Sequence, residues 1–323
     1  MTLGRRSKRL ASVGRVAVSA TLLLVVARVL DIDEVITRLS QLRAPWVFLG
    51  LGITVLQVVA LAWRWRFTAS RLGVDLPMRR AVSEYYLSIL LNQLLPGGVS
   101  GDVSRAWRHA RTLAPTGPAV RAVILERASG QVVMTAVAIV SLLVLPLGFG
   151  LVGVSATGIA VVAVALLLAT WLRRASPDSL ASRVWTDTRE ALLTRGALPV
   201  QLVGATLLVA SYIALYLVAA RAVGVDTPSL QLLPLVAPVL MTMLIPITIA
   251  GWGVREGAAA TLWGLVGLAP EDGVSISVAY GLLVLVSSAP GVLVLTRTLI
   301  EGRGRRGRPD PSGSDGTRAA APR

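Results

Sequence analysis

Two short stretches of this chain carry the residue types that bind anions, at places where a helix must break. The first is Asn92-Gln93-Leu94-Leu95-Pro96-Gly97-Gly98-Val99-Ser100-Gly101-Asp102, with Arg105 three residues on. The second is Pro246-Ile247-Thr248-Ile249-Ala250-Gly251-Trp252-Gly253-Val254-Arg255-Glu256-Gly257. A guanidinium matches phosphate with a planar, two-pronged fork. Glycine lets backbone approach a bound group closely, and N–H groups at the start of a helix favour negative charge. The chemistry these residues predict is the binding of a phosphate-bearing headgroup. Arg105 and Arg255 would hold the phosphate. Gly97, Gly98, Gly101, Gly251 and Gly253 would give it room. Asn92 and Gln93 would bind polar headgroup atoms or cap the broken helix. Asp102, Glu126 and Glu256 would position the arginines or meet a cationic headgroup, and Arg127 stands beside Glu126. The alternative for each acid is a structural pairing with an arginine that locks helices together.

The elements around these stretches are apolar. Of the 323 residues, 54% are hydrophobic and only 15% are charged, against about 25% charged in soluble domains. Residues 132–144 and 154–172 hold no charge at all. Runs of this kind approach the ~20 residues that cross hydrocarbon as a helix. Helix is required because lipid cannot satisfy open backbone groups. A membrane β-barrel would alternate apolar with polar residues, and these runs do not. The fold class is therefore all-α, a polytopic transmembrane bundle.

Spans are expected at about 12–30, 45–63, 128–148, 150–172, 198–220 and 274–297, with Glu126 and Arg127 opening the third. Arg5, Arg6, Lys8 and Arg9 precede the first span, and Asp31, Asp33 and Glu34 follow it. Arg64, Arg66, Arg71, Arg79 and Arg80 then read as a basic loop, as do Arg105, Arg108, Arg111 and Arg121, with the lone His109 among them. Residues 173–196 carry five arginines and read as an interfacial segment with Trp185 and Leu192 toward lipid. If the spans alternate, the basic loops share one face. That face is cytoplasmic, and both termini with it. Trp46, Trp63, Trp65 and Trp171 lie near span ends, where interfacial anchoring suffices for them. Residues 1–301 form the membrane domain, and residues 302–323 read as a disordered tail.

Net charge is +15 and there is no cysteine. The charge serves topology and anionic lipid contact better than nucleic-acid binding. Disulfides and thiolate metal sites are excluded, and one histidine makes a histidine metal site implausible. No phosphate-loop lysine motif is present, so no nucleotide and no other cofactor is expected.

Residues 81–95 and 229–268 fit poorly as simple spans. The first is short and ends in helix breakers, and the chain then returns to the basic side, so a re-entrant hairpin is expected. The second is interrupted by Pro234, Pro238 and Pro246. It reads either as re-entrant or as two full spans. Aligning Pro96 with Pro246 puts a glycine five residues on (Gly101, Gly251) and an arginine nine on (Arg105, Arg255), with Asn92 and Thr242 four before. The two breaks read as an inverted repeat. Interrupted apolar segments in matching positions are the best sequence pointer to a transporter's binding site.

Asn92-x3-Pro96-Gly97-Gly98-x2-Gly101-Asp102-x2-Arg105, then Glu126-Arg127, then Pro246-x4-Gly251-x-Gly253-x-Arg255-Glu256-Gly257 resembles the lysylphosphatidylglycerol synthase transmembrane family, also called the flippase-like domain family. The resemblance covers about residues 12–298. It implies a helical bundle with paired re-entrant segments in the prokaryotic cytoplasmic membrane. In the best-known members the bundle is fused to a cytosolic domain that moves lysine from lysyl-tRNA onto phosphatidylglycerol, and the bundle translocates the product. Here a short Arg/Gly/Pro tail follows residue 298, so aminoacyl transfer is not expected of this sequence. Three readings follow. A flippase or translocase of an anionic phospholipid, aminoacyl-phospholipid or glycolipid leads, with no enzymatic step. A membrane-embedded headgroup or glycosyl transferase, with Asp102 or Glu256 as general base, is the second. An accessory subunit delivering lipid to a separate lipid-modifying enzyme is the third. Membrane lipids are the expected partners; that separate enzyme and a second copy of the chain are left open.

Overall fold

The computed structural model describes residues 3–30, 32–95, 100–112, 116–145, 158, 163, 167–245 and 248–306. Most of these residues are helical, and there is no strand among them. In chain order the helices are α1 (Leu3–Val29), α2 (Ile32–Ser40), α3 (Ala44–Arg71), α4 (Met78–Leu94), α5 (Ser100–Thr112) and α6 (Thr116–Val144). After them come α7 (Leu180–Thr188, running into a π-helical turn at Arg189–Leu193) and α8 (Leu198–Ala222). The last four are α9 (Ser229–Met241), α10 (Val254–Leu265), α11 (Pro270–Ser287) and α12 (Pro290–Arg306).

Helices α3, α6 and α8 are each long and apolar enough to cross a membrane, and α11 and α12 qualify together as a pair bent by 40°. Their side chains sort as lipid solvation requires. On α3, Phe48, Leu49, Val55 and Leu56 face outward, whereas Thr54, Gln57, Arg64 and Thr68 are buried. Apolar groups gain nothing by turning inward when the surroundings are hydrocarbon, so packing and polar pairing decide which face is inside. The centre is α3 against α8 and α6, with α11 packed on α8 and α9 on α6. One apolar core gathers Trp65, Tyr85, Leu61 and Val123 around α3 to α6. A second gathers Tyr216, Trp263, Leu235 and Ile276 around α8 to α11.

The awkward stretches become pairs of short helices. Helix α4 has 17 residues and α5 has 13, so by the helical rise they span about 26 Å and 20 Å. Helices α9 and α10 have 13 and 12 residues, about 20 Å and 18 Å by the same rise. Each falls short of the ~30 Å hydrocarbon thickness. Pro234 and Pro238 lie inside α9 without ending it; the chain turns only after Leu244.

Several expectations shift. Helix α3 continues past residue 63 to Arg71, so Arg64 and Arg66 belong to a helix and not to a loop. Helix α6 begins at Thr116, which places Glu126 ten residues inside it, about 15 Å along its axis, and not at its mouth. His109 is on α5 and 1% exposed, packed against Trp65, not on a loop. Trp65 itself is fully buried and so is no interfacial anchor, while Trp63 and Trp171 are exposed. Trp185 and Leu192 are half-buried. Helix α12 runs on to Arg306, beyond the boundary drawn at residue 301. The expected span at 150–172 and the tail from residue 307 lie largely or wholly outside the described residues.

Candidate functional site

The first break builds one cluster from five helices, α3, α4, α5, α6 and α8. Helix α5 crosses α4 so tightly that a Cβ on Gly101 would fall on the backbone oxygen of Ser88. Only glycine permits that approach. Asn92, near the end of α4, accepts a 2.8 Å hydrogen bond from the Gly101 N–H. It thus satisfies one of the open donors at the start of α5. Asp102 is in the first turn of α5, where negative charge is favoured. Its carboxylate lies 3.1 Å from Arg105 Nη2 and 2.7 Å from Arg127 Nη2.

Arg105 is 1% exposed and points back into the bundle. Its Nη2 lies 3.3 Å from Glu126 Oε2. Its guanidinium carbon sits 4.0 Å from the Tyr85 ring centre and 4.6 Å from that of Trp65. Glu126 is the hub of the cluster. It accepts a 2.5 Å hydrogen bond from the Tyr85 hydroxyl and lies 3.6 Å from Arg64 Nη1. Arg64 continues outward through Nη2, which donates to Ser129 Oγ at 2.8 Å and to Gln201 Oε1 at 3.4 Å. Gln201 in turn donates to Thr68 at 2.9 Å. Gln93 is buried on α4 without joining this network.

The second break builds a separate, smaller cluster. Ala250, Gly251 and Gly253 have φ of 51°, 82° and 89°, a left-handed backbone that side chains other than glycine resist. The turn aims Gly253 N–H at Glu256 Oε2, 2.7 Å away, as the carboxylate half of a capping box. Oε1 of Glu256 accepts from Arg255 Nη2 at 2.7 Å and from Ser277 Oγ at 2.9 Å. Ser277 also accepts from Arg255 Nε at 2.8 Å. The Arg255 guanidinium lies 5.1 Å from Trp252 and 5.4 Å from Tyr280. Gly281 leaves the room, since a Cβ there would collide with Arg255 Nη2. Helix α1 closes this side: Ser19 Oγ accepts from Ile249 N–H at 2.9 Å.

Of the residues the sequence singles out, Asn92, Gly101, Asp102, Arg105, Glu126 and Arg127 come together, and Gly251, Gly253, Arg255 and Glu256 come together elsewhere. Gly97 and Gly98 lie outside the described residues. The pairing expected as the alternative for the acids is present: every singled-out carboxylate holds an arginine. Sequence reasoning misses Arg64, Tyr85, Trp65, Ser277 and Tyr280. Arg64 carries a signal that reads only once α3 is known to extend past it. Thr54, Gln57, Leu61, Arg64 and Thr68 recur at intervals of three and four, one inward face of an otherwise apolar helix. Trp65 and Tyr85 had none, because an aromatic residue in an apolar helix looks the same whether it packs on a cation or on lipid.

Helix α8 links the clusters. Tyr212 borders the space beside Arg64, Glu126 and Arg127. One turn later Tyr216 packs 5.5 Å from Tyr280. The arrangement can hold or exchange anionic groups: two buried guanidinium groups, each already facing a carboxylate, each against one tryptophan and one tyrosine.

No curated protein and no solved structure matches this chain. The sequence model of one family, described as the lysylphosphatidylglycerol synthase TM region, matches residues 12–291. With its apolar helices, its two helix breaks and a match over most of its length, the chain belongs to the lysylphosphatidylglycerol synthase TM region family and is a membrane protein.

Proposed function

We propose that this protein translocates an anionic phospholipid, aminoacyl-phospholipid or glycolipid between the leaflets of a prokaryotic cytoplasmic membrane, with both chain ends on the cytoplasmic side. The observation that carries the reading is the correspondence of Arg105 and Arg255. Each lies nine residues after a break proline. Each is 1% exposed, each faces a glutamate, and each guanidinium lies against one tryptophan and one tyrosine. A headgroup phosphate entering from either side would take the place of the glutamate. The phosphate would meet a guanidinium already held between aromatic walls, and its own charge would have to offset the roughly 3–5 kcal/mol of parting a buried pair. Six spans and two re-entrant pairs in an inverted repeat are the arrangement this reading uses, opening one break to each face.

Transport is favoured over headgroup transfer by the state of the carboxylates. A carboxylate already held by arginine must loosen that contact before it can take a proton from substrate. Both oxygens of Glu256 accept hydrogen bonds, and both oxygens of Asp102 face guanidinium groups.

The test is purified protein in liposomes carrying fluorescent anionic phospholipid or glycolipid, with a membrane-impermeant quencher outside. The quenched fraction is expected to exceed the outer-leaflet share, and Arg255→Ala to slow the exchange. If none of these lipids moves and Arg255→Ala changes nothing, the reading is wrong. Altered lipid found by mass spectrometry of membranes holding the protein would favour the transferase instead.

A further inference from the structure

The two arginine clusters differ in charge balance, and the difference locates a ligand. At the second break one guanidinium, Arg255, meets one carboxylate, Glu256, whose oxygens are both engaged. That cluster is neutral. At the first break Arg64, Arg105 and Arg127 share Asp102 and Glu126. Three guanidinium groups against two carboxylates leave one positive charge over, and no further carboxylate joins the network among the described residues. Charge buried within a bundle is costly unless it is paired. The surplus therefore favours the arrival of one negative charge.

The surplus borders a cavity. Helices α3, α6 and α8 border a partly open cavity of about 50 Å³ lined by Arg64, Glu126, Arg127, Gln131 and Tyr212, among others. Arg64 is 3% exposed, and among the described residues its Nε has no hydrogen-bond partner; neither has Oε1 of Gln131. Two glycines make the space. A Cβ at Gly204 would lie 3.2 Å from Arg64 Cδ, and one at Gly130 would lie 3.4 Å from Arg64 Nη1. A water takes roughly 30 Å³ in the liquid. The cavity thus holds one or two waters or, with a small parting of side chains, the charged oxygens of one phosphodiester.

We infer that this cavity is the subsite that reads headgroup charge, taking a single anionic group of the phosphodiester kind, with Arg64 and Arg127 as its contacts. The inference rests on the lipid-handling reading and adds to it where the headgroup's charge is recognised. A phosphodiester bearing one net charge balances the cluster. A zwitterionic phosphocholine carries its own cation and leaves the surplus in place. A diphosphate brings more charge than the site can match.

The test is equilibrium binding to the full-length protein in detergent, followed by intrinsic tryptophan fluorescence. The probes are short-chain phosphatidylglycerol, short-chain phosphatidylcholine and inorganic phosphate. The wild type is expected to prefer phosphatidylglycerol over phosphatidylcholine. Arg64→Gln is expected to weaken phosphatidylglycerol binding by at least about tenfold, the scale of one lost charge-assisted contact. Arg127→Gln, at a less buried position, is expected to act in the same direction, and Arg64→Lys to retain binding. Arg121→Gln removes a charge from the same helix where it pairs with Asp187 outside the cluster. It is expected to alter binding by no more than about threefold, because the charge it removes has its own partner outside the cluster.

Equal binding of the two lipids overturns the inference, as does wild-type affinity in both Arg64→Gln and Arg127→Gln. Inorganic phosphate binding as tightly as the lipid, with the same dependence on Arg64, keeps the anion subsite and overturns its assignment to a lipid. Binding that depends on Arg64 without lipid movement in liposomes removes the translocation reading and leaves the subsite. Lipid movement with binding indifferent to Arg64 does the reverse.

Discussion

Nη2 of Arg105 lies 3.3 Å from Oε2 of Glu126, with both side chains at most 1% exposed. The same oxygen accepts the Tyr85 hydroxyl. Arg105 is thus held in place before any ligand arrives, by a carboxylate on another helix. A buried pair of this sort adds little stability against an apolar substitute, but its two halves depend on each other.

Glu126→Ala would leave Arg64 and Arg105 buried without their shared carboxylate. Breaking one side of a buried pair costs roughly 3–5 kcal/mol. A clear drop in melting temperature in detergent is expected, with Glu126→Gln falling less because its carbonyl still accepts from Tyr85. An unchanged melting temperature in Glu126→Ala would show that the pair is not formed.

Gly101→Ala would drive a methyl into the Ser88 backbone oxygen, which cannot swing aside as a side chain can. The expected cost exceeds the roughly 1–3 kcal/mol of ordinary core overpacking. Gly52→Ala is the control, since open space surrounds that position on α3. It should be neutral or stabilising by up to about 1 kcal/mol from helix propensity. Thermal unfolding of both variants checks the contrast, and equal behaviour would contradict the close α4–α5 crossing.

Ser277→Ala removes a hydroxyl that bridges Arg255 Nε and Glu256 Oε1. Hydrogen bonds to charged groups are worth about 1.5–3 kcal/mol, so a destabilisation of that order is expected. Ser275 is equally buried, but its hydroxyl bonds only to the Glu271 backbone oxygen. Ser275→Ala should therefore cost less. Comparing the two melting curves decides whether the Arg255 cluster carries the difference.

The chain has no native cysteine, so single cysteines report access directly. A cysteine at Gly98 and one at Ala250 are expected to react with a membrane-impermeant thiol reagent from opposite sides of sealed vesicles. Labelling from one side only, or at neither position, would remove the inverted arrangement of the two breaks.

Much of the site was legible because its residues sit where an apolar helix cannot continue. Proline and glycine mark both breaks, and a charge in an apolar chain stands out. Asp102, Arg105, Arg255 and Glu256 could be found in this way. Arg64 could not be separated from Arg66 and Arg71 by charge alone, since all three read as a basic run after a span. The inward stripe of Thr54, Gln57, Arg64 and Thr68 separates them, but only once α3 is known to reach Arg71. Glu126 was found and misplaced by depth, because polar Thr116 and Arg121 hid the true start of α6.

The sequence by itself determined a helical membrane protein with two interrupted segments, since hydrocarbon forbids open backbone and composition alone reveals that solvent. What it left open was which charges meet. Arg64 and Glu126 are 62 residues apart in sequence and 3.6 Å apart in space. No local pattern encodes that distance; it follows from how α3 packs on α6. Tertiary structure also decided that one cluster is balanced and the other keeps a positive charge. Net balance belongs to the residues a fold brings together, and the order of residues along the chain does not contain it.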